Sequence, residues 1–341
     1  MTALFGAPSA EQGRLPVLDG VRAISILLVL ASHLLPLNAT WQGANSSVGI
    51  LGMALFFVLS GFLIGGQMMR RVPALSFVVQ RLARIVPLAW LCAVVVALSV
   101  PIDFGKLWPH LLFYANLPPQ TLVHPLTHYW SLCVEIQFYA IAALLLCVRP
   151  AFTWVAIPAL LLAVTAFRIW TGSTAGSVTW IRIDDILAGA LLAMALNSSA
   201  QQKARSLLSS PSLLWVSSAL LCASCLLTSD ENPFNYIRSY AAAIWVGTLI
   251  CQPEAATSRW LAHRHWAYLA AVSYAVYVLH LPLTATWLGS GDLLEKYLKR
   301  PLLLAILFGL AHLSTFHFER HFTNWGRRFA KARSKNWQPV I

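Results

Sequence analysis

Charged residues are scarce in this sequence of 341 residues. Only 11% of them are Asp, Glu, Lys or Arg, and 58% are hydrophobic, whereas a soluble domain carries about 25% charged residues. Acidic residues are the rarest, since 12 Asp and Glu stand against 24 Lys and Arg. With a mean hydropathy of +0.67, this composition excludes a soluble globule with one anchor. It predicts a polytopic membrane protein.

Several catalytic and targeting patterns are also absent. None of the six cysteines has a histidine at ligand spacing, so no metal site is predicted. Cys222 and Cys225 have the C-x-x-C spacing within an apolar run, and we interpret them as packing residues. No G-x-S-x-G motif of a serine hydrolase occurs. The N-terminus lacks a basic region followed by a cleavage site, so the first apolar run is expected to be a retained helix.

Long apolar runs dominate what is present. About ten of them have the ~17–23 residues that a helix needs to cross a bilayer. The predicted fold class is therefore an all-α integral membrane protein, a bundle of about ten transmembrane helices. The predicted spans are 20–37, 48–69, 85–101, 130–148, 151–170, 180–197, 212–228, 236–252, 266–288 and 301–320.

The distribution of Lys and Arg predicts the orientation of these spans. Most basic residues fall on one side if both termini are cytoplasmic, as the positive-inside rule requires. Segment 104–117 is then interfacial or re-entrant. The predicted division is a cytoplasmic segment 1–19, a membrane domain 20–321 and a basic cytoplasmic tail 322–341. The expected location is the inner (plasma) membrane. The net charge of +12 is typical of basic cytoplasmic loops, and anionic lipids or an anionic cosubstrate fit it as partners. It does not favour nucleic acid.

The first span, LDGVRAISILLVLASHL, contains three residues that do not suit an apolar helix: Asp19, Arg22 and His33. Arg22 and His33 are eleven residues apart, close to three helical turns, so they share a face and lie ~16 Å apart along the axis. Asp19 can pair with Arg22. An ionisable residue deep in a membrane helix is a candidate functional residue. The alternative is a packing histidine with an arginine that reaches the interface.

Two arginines follow the second span. Arg81 and Arg84, in RLARIVP, are three residues apart at the predicted start of a helix, so they share a face. Guanidinium groups bind phosphate oxygens well, although the same residues fit an orientation signal. In the second span, Ser60, Gly61, Gly65 and Gly66 give the small-residue spacing that allows close helix packing. The alternative for the glycines is a substrate route past the thin backbone.

The fourth span, YWSLCVEIQFY, contains the carboxylate of Glu135. Such a residue is costly in a membrane and is expected to have a partner, either His33 or an arginine. Beside His33 it would fix the tautomer of a general base. His128, just before this span, is interpreted as a solvated loop residue.

Two further groups are candidates. Arg182 and Asp185 in WIRIDD are spaced for a pair within the sixth helix, and an interfacial cluster without function is the alternative. His280 in SYAVYVLHLPL follows Tyr277 on the ninth span, and we interpret it as a structural hydrogen-bonding residue.

Taken together, LDGVRAISILLVLASHL, FFVLSGFLIG, RLARIVP, YWSLCVEIQFY and SYAVYVLHLPL resemble, in this order, the acyltransferase-3 membrane family. That family includes O-acetyltransferases of bacterial polysaccharides and acyltransferases of macrolides, and its members have ten or eleven helices. The resemblance covers residues from about 15 to 320. The sequence resembles the stand-alone transmembrane form of the family, which lacks a soluble hydrolase-like domain.

The resemblance implies an acyl-CoA cosubstrate, with acetyl-CoA as the expected donor, and no bound cofactor. It implies an acceptor hydroxyl on a sugar, lipid-linked glycan or macrolide-like molecule. His33 resembles the family base, with Glu135 as its partner, and Arg22, Arg81 and Arg84 are expected to bind acyl-CoA. The remaining candidates are assigned to the acceptor substrate: Asp19, Arg182 and Asp185. Direct transfer is preferred to an acyl-serine, since Ser60 has no base nearby in sequence.

Two other functions fit parts of the pattern. A proton-coupled transporter or flippase also needs buried His, Glu and Arg side chains, but would favour repeat symmetry between its halves, which is not visible. A membrane acyltransferase of another family would place its essential histidine in a late helix, which makes His280 the candidate base.

Overall fold

The computed structural model describes residues 15–37, 43–174, 176–226 and 232–333. Residues 1–14 of the predicted N-terminal segment and 334–341 of the predicted tail lie outside the described residues. Within the described ranges the chain forms helices joined by turns and loops, without a β-strand. The predicted all-α class is therefore confirmed.

The first half of the chain contains five long helices and three shorter ones. Its helices are α1 (Pro16–Leu34), α2 (Ala44–Met69), α3 (Ala74–Ser99), α4 (Phe104–Leu111), α5 (Tyr129–Cys147), α6 (Pro150–Thr171), α7 (Thr179–Arg182) and α8 (Asp184–Leu196).

The second half continues the bundle and ends in a long helix. Its helices are α9 (Gln201–Leu208), α10 (Pro211–Leu226), α11 (Phe234–Cys251), α12 (Ala256–Leu261), α13 (Arg264–Thr284), α14 (Leu293–Leu313) and α15 (Arg320–Arg333). A π-helical segment, Ser314–Glu319, joins α14 to α15, so that 293–333 is one helix of 41 residues.

Seven helices in the described part of the chain are long and apolar enough to cross a membrane, or eight if α9 and α10, bent by 71°, form one span. Each predicted segment overlaps a helix. However, the segments at 180–197, 212–228 and 236–252 are not among the seven, so ten spans stay a prediction. The sixth is broken into α7 and α8, and the 13 residues of α8 reach only ~20 Å.

Two boundaries differ from the sequence prediction. Helix α3 begins at Ala74 rather than at residue 85, because the apolar run after Pro73 continues the helix. Arg81 and Arg84 consequently lie inside α3 rather than at its start. Segment 104–117 contains only the eight residues of α4, about 12 Å long, so it is too short to span.

Helix α2 is central in the bundle and packs closely against α8. A Cβ atom on Gly61 would lie 1.9 Å from the carbonyl oxygen of Ile186, and one on Gly189 would lie 2.0 Å from that of Val58. Only glycine allows the two backbones to approach this closely. The predicted packing role is confirmed for Gly61 and Gly65, whereas Gly66 has no atom within 4 Å of its Cβ position.

Candidate active site

Two pockets lie on the same four helices, α1, α2, α5 and α13. The first, which we call the histidine cavity, has a volume of about 360 Å³ and is lined by Val29, Ser32, His33, Asn45, Ser46, Gly49, Ile50, Met53, Leu122, Thr127, His128, Trp130, Tyr277 and Leu281. The second, which we call the arginine pocket, is a cleft of about 20 Å³ that also includes α3 and is lined by Arg22, Phe56, Ser60, Leu63, Arg81, Arg84, Ile85, Glu135, Tyr139, Ser273 and Tyr274.

Helix α1 connects the two pockets. Arg22 lines the arginine pocket and His33 lines the histidine cavity. Their spacing of eleven residues puts them ~16 Å apart along one helix. The predicted shared face of α1 therefore contributes one residue to each pocket.

The tautomer of His33 follows from its hydrogen bonds. Its Nδ1 lies 2.9 Å from the carbonyl oxygen of Val29 and 3.1 Å from Oγ of Ser32, which itself donates to that carbonyl. Because a carbonyl oxygen only accepts, Nδ1 of the neutral ring carries the hydrogen. Nε2 is then the unprotonated nitrogen. A neutral imidazole that is held in this way can accept a proton from a hydroxyl in the cavity.

Two more histidines lie beside His33. The ring centroids of His33 and His280 are 5.0 Å apart, and those of His280 and His128 are 5.1 Å apart. Both His128 and His280 are buried, at 3% and 0% exposure. The interpretation of His128 as a solvated residue is therefore wrong, because its Nε2 donates to the carbonyl of Val278 on α13 and draws the loop inward.

The loop before α5 folds over the bundle rather than into solvent. Nδ1 of His110 donates to the carbonyl of Lys106, and its Nε2 accepts from the backbone N–H of Val123. Burial lowers the pKa of His110, and the bond to Lys106 opposes this shift. His110 is therefore a structural residue that holds the loop beside the cavity.

Glu135 lies in the arginine pocket and has no contact with His33 among the described residues. Its Oε1 accepts from Oγ of Ser60 at 2.5 Å and from the hydroxyl of Tyr139 at 2.7 Å. The charge of Glu135 acts on Arg22 and Arg81. The hydrogen-bond partners of Glu135 are thus Ser60 and Tyr139, neither of which was considered from the sequence, and the arginines interact with it through their charge. The carbonyl of Val29 takes the orienting position at His33.

This arrangement corrects one argument about Ser60. The sequence shows no base near Ser60, yet the fold brings the carboxylate of Glu135 to its hydroxyl across 75 residues. Ser60 lies in the arginine pocket, about two helix turns from Met53 of the histidine cavity. The absence of a nearby base can no longer be used against a role for this serine.

The three arginines of the pocket differ in their freedom to bind a ligand. Arg81 is buried, donates from Nε and from a terminal nitrogen to Oε1 of Gln67, and stacks on Phe77 and Tyr139. Arg22 and Arg84 are half-buried, and neither makes a hydrogen bond or salt bridge with another described residue. These two guanidinium groups are the ones available to an anionic ligand.

The predicted pair of Arg182 and Asp185 is present at 3.2 Å, but it lies in the bundle interior rather than at an interface. Arg168 pairs with Asp184, and Oγ of Ser239 donates to both aspartates. This network contacts the histidine cavity indirectly, since the guanidinium of Arg182 lies 5.7 Å from the ring centroid of Trp130. Asp19, the third residue assigned to the acceptor, lies near Arg22 and its charge acts on it.

Sequence reasoning missed Tyr139 and Arg168 and assigned no function to His128. Tyr139 is four residues after Glu135, so helical spacing could have found it. Arg168 is the basic residue in the last turn of α6, and its partner, Asp184, could not be identified from spacing alone because it lies on another helix.

Comparison with known proteins agrees with the resemblance drawn from the motifs. The chain is 24% identical over 310 residues to the O-acetyltransferase OatA of Staphylococcus aureus (strain NCTC 8325 / PS 47), covering 79% of this chain and 50% of that protein. It is 24% identical over 347 residues to the peptidoglycan O-acetyltransferase OatA of Listeria monocytogenes serovar 1/2a, covering 88% and 54%. The chain thus spans about half the length of the curated relatives it matches.

No solved structure matches this chain. A family model described as an acyltransferase domain matches residues 15–319. Because this match covers most of the sequence, the chain belongs to the acyltransferase-3 family.

Proposed function

We propose that this protein is a membrane O-acyltransferase that moves an acyl group, acetyl in the first instance, from acyl-CoA to a hydroxyl of a carbohydrate, glycolipid or other small acceptor. The observation that carries the proposal is the placement of Arg22 and His33 on one helix, in two pockets of different chemistry. The printed functions of the curated relatives, O-acetyltransferase and peptidoglycan O-acetyltransferase, support the same reaction class.

The arginine pocket suits the anionic end of the donor. Three guanidinium groups and one carboxylate line it, which leaves an excess of positive charge for phosphate groups. Arg22 and Arg84 bind the phosphates of CoA, and Arg81 supports the pocket through Gln67. The thioester, at the far end of the extended CoA arm, then lies toward the histidine cavity ~16 Å away along α1.

The histidine cavity suits the acceptor. Among the described residues, no Asp, Glu, Lys or Arg side chain lines it. A neutral hydroxyl compound can therefore enter without leaving a charged group buried and unpaired. His33 takes the proton of the acceptor hydroxyl at Nε2, and the oxygen attacks the thioester carbon. The C–S bond breaks, and the proton ends on the sulfur of CoA. No acyl-enzyme is needed in this sequence of steps.

The test is thioester cleavage in membranes that contain the full chain. Labelled acetyl-CoA is supplied with cell-wall or membrane extracts as acceptors, and free CoA and labelled product are followed. We expect turnover in the wild type and its loss in His33→Ala. Tyr268→Phe is the matched control, because it removes one side-chain hydrogen bond from α13, to His312, at a residue that lines neither pocket. Folded protein that releases no CoA with any extract would contradict the proposal and favour a transporter or flippase.

The topology is part of this proposal. We place ten membrane segments with both termini in the cytoplasm, in the inner (plasma) membrane, so that acyl-CoA enters the arginine pocket from the cytoplasm. Single cysteines at Lys203 and Ser290, both exposed, should then be labelled from opposite sides of the membrane by an impermeant maleimide. Labelling of both from the same side would contradict this topology.

A further inference from the structure

His280 has a nitrogen without a partner. The side chain is 0% exposed, and its Nδ1 lies 2.5 Å from the carbonyl oxygen of Tyr277. Because the carbonyl only accepts, Nδ1 carries the hydrogen and Nε2 is the unprotonated nitrogen. Nε2 is buried and makes no hydrogen bond to any described residue. A buried acceptor of this kind is costly to leave unpaired, which calls for an explanation.

The surroundings of His33 limit what can stabilise it once it is protonated. The groups that face it are the imidazoles of His280 and His128, with Tyr277 from α13 and the neutral Asn45 from α2. No Asp or Glu lines the histidine cavity. Among the described side chains, Glu135 is held in the arginine pocket by Ser60 and Tyr139. The usual carboxylate partner of a catalytic histidine is therefore replaced here by a neutral ring.

We propose that His280 is a positioning residue for His33, and that its unprotonated Nε2 stabilises the imidazolium that His33 becomes during transfer. This inference rests on the function proposed above. The proton still moves from the acceptor hydroxyl to His33 and then to the sulfur of CoA. His280 gains and loses no proton. Its unprotonated Nε2 is the negative end of the ring dipole, and the centroids of the two rings are 5.0 Å apart. The Nδ1–H bond to the carbonyl of Tyr277 fixes the tautomer of His280.

The variant His280→Phe tests this directly, because it keeps a ring of similar shape and removes the acceptor nitrogen. The loss of a hydrogen bond to a charged group lowers a rate constant by a factor of about 10 to 100. We expect kcat to fall by that factor with little change in KM for acyl-CoA. We also expect the acidic limb of the pH profile of kcat/KM to move to lower pH, since His33 binds a proton less readily. His280→Gln, which restores an acceptor oxygen, should recover part of both effects.

A second measurement does not depend on turnover. The ¹⁵N signals of labelled histidines are titrated in the purified full chain, and the His33 signal is the one missing in His33→Ala. His280→Phe should lower the pH at which His33 takes up its proton, and Tyr268→Phe, about 18 Å along the same helix from His280, should not.

The two measurements separate the inference from the function. An unchanged His33 titration in folded His280→Phe overturns the inference, even if acyl transfer continues. A downward shift supports the inference, even if none of the acceptors supplied is acylated. A fall in kcat without any shift of the pH profile or the titration also overturns it, because a merely structural role for His280 would give that result.

Discussion

The histidine cavity and the arginine pocket share four helices but differ in chemistry. The cavity is larger, at about 360 Å³ against 20 Å³, and its only titratable lining groups are two histidines and a tyrosine. The pocket is narrow and contains three arginines and a glutamate. One turn of helix is enough to change from one environment to the other, since Met53 lines the cavity and Phe56 lines the pocket.

This contrast shows how a membrane bundle can hold a carboxylate, Glu135, and a neutral imidazole, His33, on two of these four helices without a contact between them. A carboxylate at His33 would increase its positive charge, and an imidazolium beside the arginines would be repelled. Separation along α1 avoids both. Glu135 compensates the arginines, and the Val29 carbonyl fixes the tautomer of His33 without adding charge.

The largest effect that distinguishes the two regions is expected at His33. His33→Ala should lower kcat by about 10² to 10⁴-fold, the usual contribution of general base catalysis, while KM for acyl-CoA stays close to the wild-type value. Initial rates of CoA release over a range of acetyl-CoA concentrations measure both constants. An equal rise in KM would mean that His33 belongs to the donor site, and the two-pocket interpretation would fail.

The converse effect is expected at Arg84. Arg84→Ala should raise KM for acyl-CoA by about 10 to 100-fold, the value of a lost hydrogen bond to a charged group, with a smaller change in kcat. Arg84→Lys should recover only part, because an ammonium lacks the planar fork of guanidinium. Arg81→Ala is the comparison, since Arg81 is bound to Gln67 and its loss should chiefly lower stability. If Arg81 affected KM more than Arg84, the assignment would be reversed.

The position of α2, which lines both regions, depends on the packing of Gly61 against α8. Gly61→Ala places a methyl group 1.9 Å from a backbone oxygen of α8, and overpacking of this kind costs about 1–3 kcal/mol. Gly66→Ala is the matched control on the same helix, because it meets open space and removes the flexibility of glycine, a gain of about 0.5–1 kcal/mol. Thermal unfolding in detergent should give opposite changes in Tm for the two variants. Equal values would show that close packing of α2 on α8 is not needed.

The smallest of these effects is expected for Glu135→Gln. Glutamine keeps an oxygen that accepts from Ser60 and Tyr139 and removes only the charge. We expect a moderate change in KM and a smaller loss of kcat than for His33→Ala. Glu135→Ala should be worse, since it leaves two buried hydroxyl groups without their acceptor, at about 1–3 kcal/mol each. A loss in Glu135→Gln as severe as in His33→Ala would restore Glu135 as the partner of the base.

The local features of the site could be predicted because they follow from helix geometry. The shared face of Arg22 and His33 and the pair of Arg182 and Asp185 need only a helical repeat. The boundaries were less accurate. Helix α3 is eleven residues longer at its start than predicted, since the apolar residues that follow Pro73 continue the helix through Arg81 and Arg84 and past Pro87.

The partners of individual side chains could not be predicted, because they join segments far apart in the chain. His128 looks like an ordinary loop residue until α13 supplies the carbonyl of Val278, 150 residues away. His280 gives no sign in the sequence that its neighbour is His33. Glu135 had two plausible partners, and the choice depended on how α5 is rotated against α1, α2 and α3.

The sequence alone determined the all-helical membrane class, the family and the two residues of α1, because each of these depends on composition or on periodicity along one helix. The tertiary structure decided which groups meet: Val29 rather than Glu135 at His33, the imidazole of His280 in place of a carboxylate, and a separate pocket for the arginines. The physical reason is that contacts between helices depend on their rotation and depth. The packing of small residues such as Gly61 and Gly189 sets these two quantities, and helical periodicity does not encode them.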